Sequence, residues 1–280
     1  MPVNRAGVIP SLRLVTTGSA WRPDHPPAVV QQWHDVDGRL VAWAGVLGGR
    51  WAMDWPGLGT YQFGPFGDVD VFPAPGADPE VLQDSFVRGV LPVVLVGREH
   101  EALHASAVAT CNGEVVAFCA RSGVGKSSLG LGVAARGGTQ WADDTVVFSS
   151  EPGPPRTLSL PFPPRVDTKA LEALGLHQRQ VPRTPPGETA PLSRVYLLTR
   201  DLTRDPAEPV IDDLPSSTLF ERMLAHAHPF DLGGPERRRR MIERLILIAG
   251  SVRGCEIRFA PSLEALPILV ETVGRHIETG

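Results

Sequence analysis

The chain has 280 residues, enough for one large or two modest domains, and its 27 Lys+Arg against 31 Asp+Glu give a net charge of −4. This balance excludes a protein whose main partner is nucleic acid, because neutralising phosphates needs a basic surface. Three cysteines without CxxC spacing exclude a disulfide framework or a zinc knuckle. We expect a cytoplasmic protein without a membrane partner, since no signal core follows the first residues and no stretch approaches the ~18 apolar residues of a membrane helix.

The first third of the chain is predicted to be a small β-rich or mixed unit. Apolar segments at 40–46 and 61–66 alternate with Gly- and Pro-rich turns, as short strands do. Asp78 followed by Pro79 is typical of a helix start, and that helix is expected to run to about Arg88, or onward past Pro92 with a kink. Five of the six tryptophans lie in this part and are expected to supply core area rather than a ligand-stacking surface. They are Trp21, Trp33, Trp43, Trp51 and Trp55.

The next fifty residues have a sharper pattern. Strands are predicted at 103–110 and 114–119, joined by a hairpin at Asn112-Gly113. A glycine-rich loop follows and leads into a helix predicted over 129–136, after which a short strand runs into Asp143-Asp144. A strand, a loop and a helix in this order form the context that a phosphate-binding loop requires.

The rest of the chain is predicted to alternate helices and strands after a Pro-rich stretch at 151–191. We expect a capping box between Thr218 and Glu221, and we expect the arginine run Arg237–Arg240 to form a solvated helix face. The predicted elements are helices at 168–176, 218–227, 235–248 and 262–277 and strands at 194–199 and 252–259. We expect residues 1–98 to form a substrate-selecting or interface unit and residues 99–280 the domain that carries the chemistry.

The glycine-rich loop carries the clearest chemistry. Glycines let successive N–H groups point at phosphate oxygens, and the following helix adds its positive N-terminal end. Lys126 would reach the β- and γ-phosphates, and the Ser127 hydroxyl would ligate Mg²⁺. The full pattern has glycine at position 120, where this chain has Ala120. The predicted residues for binding ATP and Mg²⁺ are Arg121, Ser122, Gly123, Val124, Gly125, Lys126, Ser127 and Ser128, with Arg121 equally able to face solvent.

The distribution of lysine supports this interpretation. Lysine occurs only at Lys126 and Lys169, and every other basic residue is arginine. A compact ammonium on a flexible stem fits inside a phosphate loop, whereas a planar guanidinium does not. One of the two lysines therefore falls at the position where the loop needs it.

A pair of carboxylates forms the second candidate feature. Asp143 and Asp144 follow Lys126 by 17 and 18 residues and end a predicted strand. Beside phosphate and Mg²⁺, one carboxylate could hold the metal through water and the other could accept a proton from an attacking hydroxyl. An Asp-Asp surface turn is the alternative.

These segments together resemble the catalytic domain of HPr kinase/phosphorylase and its HPr-kinase-like relatives. The similarity covers about residues 100–150 and lies in His104-Ala-Ser-Ala-Val, the Asn-Gly hairpin, Ser-Gly-Val-Gly-Lys-Ser, Arg136-Gly137 and Ala142-Asp143-Asp144. The resemblance implies a P-loop α/β core with a mixed sheet, related to phosphoenolpyruvate carboxykinase. It also implies catalytic roles for Asp143, Asp144 and His104 and a metal site at Ser127 and Asp144, with the order of the two aspartates left open. Without the resemblance, His104 would be a satisfied core histidine.

The departures from that family bear on the substrate. HPr kinases carry glycine and an acidic residue where this chain has Ala120 and Arg121, and their Arg-Asn segment and Glu motif are absent downstream. We therefore expect an ATP- and Mg²⁺-dependent kinase that phosphorylates a serine-like hydroxyl of a peptide, protein or small molecule other than HPr. Some HPr-kinase-like relatives phosphorylate a serine of a lasso peptide. The alternatives are a nucleotide-binding accessory or regulatory protein without transfer and an ATPase coupled to a conformational change; homo-oligomerisation stays open.

Overall fold

A computed structural model describes residues 9–15, 27–149, 153–161, 165–176, 181–206, 208–228 and 234–279. The chain forms two compact units, the first comprising Met1–His100 with Pro229–Met241 and the second Glu101–His228 with Ile242–Gly280. No described helix is long and apolar enough to cross a membrane.

The first unit is built on a six-stranded sheet. Its strands are β1 Leu12–Leu14, β2 Ala28–His34, β3 Leu40–Leu47, β4 Arg50–Trp55, β5 Gly59–Phe63 and β6 Val69–Pro73. Strands β2 to β6 form an antiparallel meander, and β1 pairs in parallel with β6, giving the order β1-β6-β5-β4-β3-β2. The predicted β-rich character of this part is confirmed, including the strands near residues 40–46 and 61–66.

A nearly continuous helical segment follows this sheet. It consists of α1 Pro79–Ser85, a π-helical turn Phe86–Val90 and α2 Leu91–Gly97. Asp78 caps α1 as predicted, since its carboxylate accepts the Glu80 N–H at 2.8 Å. The expected kink near Pro92 takes the form of the π-turn, which widens the helix just before a residue that has no N–H to donate.

The core of the first unit differs from the sequence prediction. Tyr61, Phe63 and Met53 are fully buried, as is most of α2. Of the five tryptophans in this part of the chain, the four that the structure describes are only half-buried, and Trp21 lies outside the described residues. The tryptophans therefore border this core instead of filling it, which suits a side chain that is too large to be enclosed completely by a small unit.

The burial of Arg237 is a second difference from the sequence prediction. This residue was expected on a solvated helix face, but it is buried and donates hydrogen bonds to the carbonyl oxygens of Val96 and His100 at 3.2 and 2.5 Å. A buried guanidinium is tolerated where backbone oxygens satisfy its donors. The neighbouring Arg238 and Arg239 are exposed, as predicted.

The second unit contains a nine-stranded mixed sheet. Its strands are β7 Glu101–Leu103, β8 Ala105–Ala109, β9 Val115–Cys119, β10 Thr139–Ala142, β11 Val146–Phe148, β12 Arg156–Leu158, β13 Thr189–Arg200, β14 Val210–Leu214 and β15 Arg253–Phe259. The order is β10-β8-β9-β13-β12-β11-β7, with β15 pairing β13 and β14. Strand β13 is parallel to β9 and to β15, and the remaining pairs are antiparallel. The predicted mixed α/β architecture is therefore confirmed.

The remaining helices are α3 Lys126–Ala134, α4 Thr168–Leu174, α5 Ser216–Leu224, α6 Gly234–Ser251 and α7 Leu266–Thr279. Helix α6 begins in the segment assigned to the first unit and ends in the second. Three predicted helix starts are wrong. Helix α3 begins at Lys126, three residues before the predicted start at residue 129. Helix α5 begins two residues before Thr218, after Pro215, without a side-chain cap, so the capping box does not form. Helix α7 begins at Leu266 because Pro267 fits only in a first turn, where its missing N–H costs nothing.

Helices α3 and α7 pack together over the sheet and enclose the main core of the second unit. Phe118 of β9 stacks on Tyr196 of β13 with ring centroids 5.4 Å apart. Leu129 and Val133 of α3 meet Val270 and Val273 of α7 in the same cluster. This packing fixes α3 against β9 and so fixes the loop that joins them.

Candidate active site

The strand directions bring three separate segments to one end of the sheet. In the antiparallel β8–β9 pair, Ala105 lies opposite Cys119, so β8 begins where β9 ends. Strand β10 is antiparallel to β8, with Ala142 opposite Ala107, and therefore ends at the same edge. His104 precedes β8, the glycine-rich loop follows β9, and Asp143 follows β10. These predicted site residues consequently meet, although Asp143 follows His104 by 39 positions in the chain.

The loop between β9 and α3 has two glycines in backbone conformations that residues with side chains rarely adopt. Gly123 and Gly125 have φ values of 78° and 116°, which side-chain-bearing residues rarely adopt. A Cβ atom at either position would meet no protein atom within 4 Å, so the loop faces open space. Helix α3 begins directly at Lys126, and the first N–H groups of a helix have no partner within it. The loop can therefore present several N–H donors to an anion.

Arg200 ties this loop to the end of β13. Its guanidinium donates to the carbonyl oxygen of Gly123 and, at 3.4 Å, to that of Val124. Val124 also packs against the core cluster. Nothing in the sequence indicated this arginine, because its contact depends on β13 lying beside β9.

Lys126 is held in a defined position behind the loop. Only 6% of its surface is exposed, and its ammonium lies 3.0 Å from the Ala120 carbonyl oxygen, 3.3 Å from that of Arg121 and 2.9 Å from His104 Nε2. Burial lowers the pKa of Lys126, and the carboxylates of Asp144 and Asp143 partly oppose that shift. The lysine is thus enclosed among acceptors at the base of the loop.

The same contact fixes the tautomer of His104. An ammonium can only donate, so Nε2 accepts from Lys126 and the ring proton lies on Nδ1. Nδ1 is 3.0 Å from the Asp144 carbonyl oxygen and 3.3 Å from the Asp144 carboxylate. His104 therefore connects Lys126 with Asp144.

The two aspartates differ sharply in environment. Asp143 is 1% exposed and accepts the Arg165 backbone N–H on Oδ2 at 3.2 Å, while its Oδ1 has no hydrogen-bond partner of acceptable geometry. Burial raises the pKa of Asp143, and the nearby hydroxyl of Ser127 opposes the shift. Asp144 is exposed and has a φ of 64°, a backbone conformation that is uncommon for a residue with a side chain.

The structure adds two histidines that the sequence analysis missed. The His226 carbonyl oxygen accepts the His104 N–H at 2.7 Å, and the His228 ring lies 6.2 Å from the His104 ring. Burial lowers the pKa values of His226 and His228 to about 4, and His104 adds to both shifts. Both rings are therefore neutral near pH 7. The His226-Ala227-His228 spacing was the available sequence signal, but it lies in the turn after α5, and the isolated bridge between Leu103 and Ala227 is what brings it beside His104.

The donor set fits a magnesium ion held jointly with a phosphate. The unpartnered Oδ1 of buried Asp143 and the Ser127 hydroxyl are hard oxygen ligands beside the loop. No group of three or more His, Cys, Asp or Glu able to hold a metal exists in the part of the chain that the structure describes. Mg²⁺ is commonly held by one or two protein ligands and completes its coordination shell with water and substrate phosphates.

The predicted site residues thus gather around the loop. Arg121, Ser122 and Gly123 are exposed at its tip, and Ser127 and Ser128 are half-buried at the start of α3. The metal ligands proposed from sequence were Ser127 and Asp144, whereas the carboxylate near the Ser127 hydroxyl is that of Asp143. Which aspartate holds a metal stays a prediction.

Comparison with known proteins gives only a distant fold relation. No protein-family model matches the chain, and no curated protein matches it. Among solved structures, the HPr(Ser) kinase/phosphatase from Coxiella burnetii is similar at 16% identity with a TM-score of 0.35. That similarity covers 63% of this chain and 95% of the other.

Proposed function

We propose that the protein is a kinase that transfers the γ-phosphate of ATP, with Mg²⁺, to a serine-like hydroxyl. The observation that carries the proposal is one constellation: a glycine loop opening α3, a buried lysine at its base, and a buried carboxylate with an unpartnered oxygen beside it. Together they offer donors for phosphate, a charge for the β- and γ-phosphates and a ligand for a cation. The acceptor would be a peptide, protein or small molecule.

Each residue would have one task. The loop N–H groups and Lys126 would bind and orient the triphosphate, and Asp143 and Ser127 would hold Mg²⁺. The metal would neutralise charge that develops on the transferring group. Asp144 is exposed enough to meet an acceptor hydroxyl, and we assign it the role of base that accepts the proton. His104 would orient Asp144 and keep Lys126 at the base of the loop.

Loss of Lys126 tests the nucleotide site. Lys126→Ala should lower ATP affinity and reduce transfer by at least roughly 10²-fold, because a fixed charge aimed at the transferring phosphate is lost. Lys169→Ala is the matched control, since it removes the other lysine of the chain from the exposed face of α4. ATP binding is measured by equilibrium dialysis, and transfer by following label from γ-labelled ATP into extract of the source cells. Equal behaviour of the two variants would contradict the proposal.

Loss of Asp144 tests the assignment of the base. Asp144→Asn should leave ATP affinity within about twofold of the parent and lower transfer by roughly 10²–10⁴-fold, the usual range for a general base. Asp212→Asn removes another exposed carboxylate and is the control. Full transfer by Asp144→Asn would reject the base role. ATP binding without transfer to any acceptor by the unmodified chain would favour a nucleotide-binding regulatory protein instead.

A further inference from the structure

A buried polar cluster in the second unit takes no part in the proposed kinase site. It consists of Arg194 and Tyr196 of β13 and His276 in the last turn of α7. Arg194 lies opposite Val116 of β9 and opposite Arg253, the first residue of β15. The cluster is therefore at the end of the sheet away from the glycine-rich loop, which follows the last residue of β9.

Hydrogen bonds in the cluster run in one direction. Arg194 Nη1 donates to the Tyr196 hydroxyl oxygen at 3.1 Å and to the His276 carbonyl oxygen at 2.9 Å, and the Tyr196 hydroxyl lies 2.8 Å from His276 Nδ1. A guanidinium can only donate, so the hydroxyl accepts from Arg194 and gives its own proton to Nδ1. Tyr196 is fully buried, and its hydroxyl has no other acceptor in the described part of the chain. His276 Nδ1 is thus an acceptor, and the neutral ring carries its proton on Nε2.

A proton on His276 Nδ1 would break this arrangement. The ring and Arg194 would both direct N–H groups at the Tyr196 hydroxyl oxygen, whose own proton would lose its acceptor. A positively charged ring would also lie near a guanidinium that is only 6% exposed. The neutral form of His276 is therefore the one that fits the folded chain.

The other charged groups around His276 act in the same direction. Burial lowers the pKa of His276 first, Arg194 and Arg253 lower it further, and Asp213 of β14 opposes them. Asp213 is already bound by Arg253 at 2.8 and 3.0 Å, so it offers little compensation to a second cation. The neighbouring Cys255 of β15 stays neutral, because burial raises its pKa to about 11.

The last turn of α7 has few other attachments. Val270 and Val273 are buried in the main core, and beyond them Ile277 is only partly buried against it. Arg275 and Glu278, the charged residues of this turn, are exposed. A helix end with few buried apolar contacts opens at low cost, so its hydrogen bonds to β13 decide whether it stays docked.

We propose that His276 is an acid-sensitive latch, which in its neutral form holds the last turn of α7 on β13 and on protonation releases it. The stabilisation is complete above the ordinary histidine pKa of 6.5 and is lost as pH falls through the lower folded-state value. The inference does not rest on the kinase proposal, since none of these residues belongs to that site.

Amide hydrogen exchange of the full chain, read by mass spectrometry and corrected for the intrinsic effect of pH, tests the latch. Opening of the last turn of α7 should increase roughly tenfold between pH 7 and pH 5, because the released ring regains its ordinary affinity for a proton. Peptides from α3 and from the start of α7 should keep their protection. An unchanged last turn, or a loss of protection throughout both helices, would overturn the proposal.

Variants identify the group that titrates. His276→Asn retains an acceptor near the position of Nδ1 but takes up no proton, so its last turn should be protected as in the parent at pH 7 and should stay protected at pH 5. His34→Asn removes an exposed histidine of β2 and should keep the acid response of the parent. An acid response that survives in His276→Asn, or disappears in His34→Asn, would contradict the latch.

A second measurement keeps the test independent of that variant. Tyr196→Phe removes the hydroxyl that favours neutral His276, so the His276 ring should titrate at a higher pH than in the parent. NMR of the imidazole carbon-bound protons follows this titration. A His276 titration that is the same in the parent and in Tyr196→Phe would show that the hydroxyl does not hold the ring neutral, and would overturn the proposal.

Discussion

At the scale of single residues, the buried carboxylate of Asp143 is the most informative group in the second unit. A carboxylate that is 1% exposed and only partly hydrogen-bonded is costly in its ionised form, which is why its pKa is raised. A buried titratable group with a shifted pKa is a candidate for a functional role. Asp143 is therefore expected to lower the stability of the ligand-free protein.

Replacing Asp143 should reveal that cost. The folded-state pKa lies above the unfolded value, so the stability associated with this group is present at low pH and is lost as pH rises through the folded-state pKa. Asp143→Asn should therefore raise the Tm without Mg²⁺ at pH 7, and the gain should disappear near pH 3, below the ordinary aspartate value of 3.8. Thermal unfolding by circular dichroism at both pH values measures this. A lower Tm for Asp143→Asn at pH 7 would show that the carboxylate stabilises the fold.

At the scale of elements, the position of α3 depends on glycines inside the helix. A Cβ at Gly132 would lie 2.5 Å from Val270 Cγ2, and one at Gly130 would lie 2.6 Å from Ser106 Oγ. The absence of these two side chains lets α3 approach α7 on one side and the sheet on the other. The glycines lower the intrinsic helix propensity of α3 but allow it to pack closely. This packing fixes the position at which the glycine-rich loop ends.

Two glycine-to-alanine variants separate packing from propensity. Gly132→Ala should destabilise the protein by about 1–3 kcal/mol, because the new methyl group must displace Val270. Gly250→Ala, in α6, meets nothing within 4 Å and should stabilise by about 0.5–1 kcal/mol. Urea denaturation measures the free energy of unfolding of both variants. Equal effects would mean that α3 and α7 do not pack as closely as described.

At the scale of the whole molecule, the two compact units differ in whether they contain residues of the proposed kinase site. The first has its own sheet and core, and every residue of the proposed kinase site belongs to the second. The net charge of −4 is compatible with this, since the cationic groups that bind phosphate need only be concentrated at one loop. A ligand of that loop should therefore stabilise the second unit.

Calorimetry can locate that stabilisation. With ATP and Mg²⁺ at 100 times the Kd, binding adds about 2.7 kcal/mol, which corresponds to roughly 5–10 °C in Tm for a unit of this size. The shift should appear in the unfolding transition of the second unit, and Lys126→Ala should abolish it. A shift that persists in Lys126→Ala would place nucleotide binding elsewhere in the chain.

Local signals predicted much of the fold and part of the site. The Asn112-Gly113 hairpin, the Asp78 cap and the strand–loop–helix around Lys126 follow from neighbouring residues, so short-range rules were sufficient. The predicted capping box at Thr218 failed because the preceding proline starts the helix earlier. The burial of Arg237 was missed because the carbonyl groups it contacts lie more than 130 residues away in the chain.

The sequence by itself determined the loop and its lysine, because glycine conformations and a helix start are local properties. It also supplied the two aspartates but gave no reason to distinguish them. Only the tertiary structure decided that Asp143 is buried with an unpartnered oxygen while Asp144 is exposed beside His104. Only pairing between distant segments brought Arg200 and His226 to this end of the sheet, since the direction of each strand sets which segments meet there.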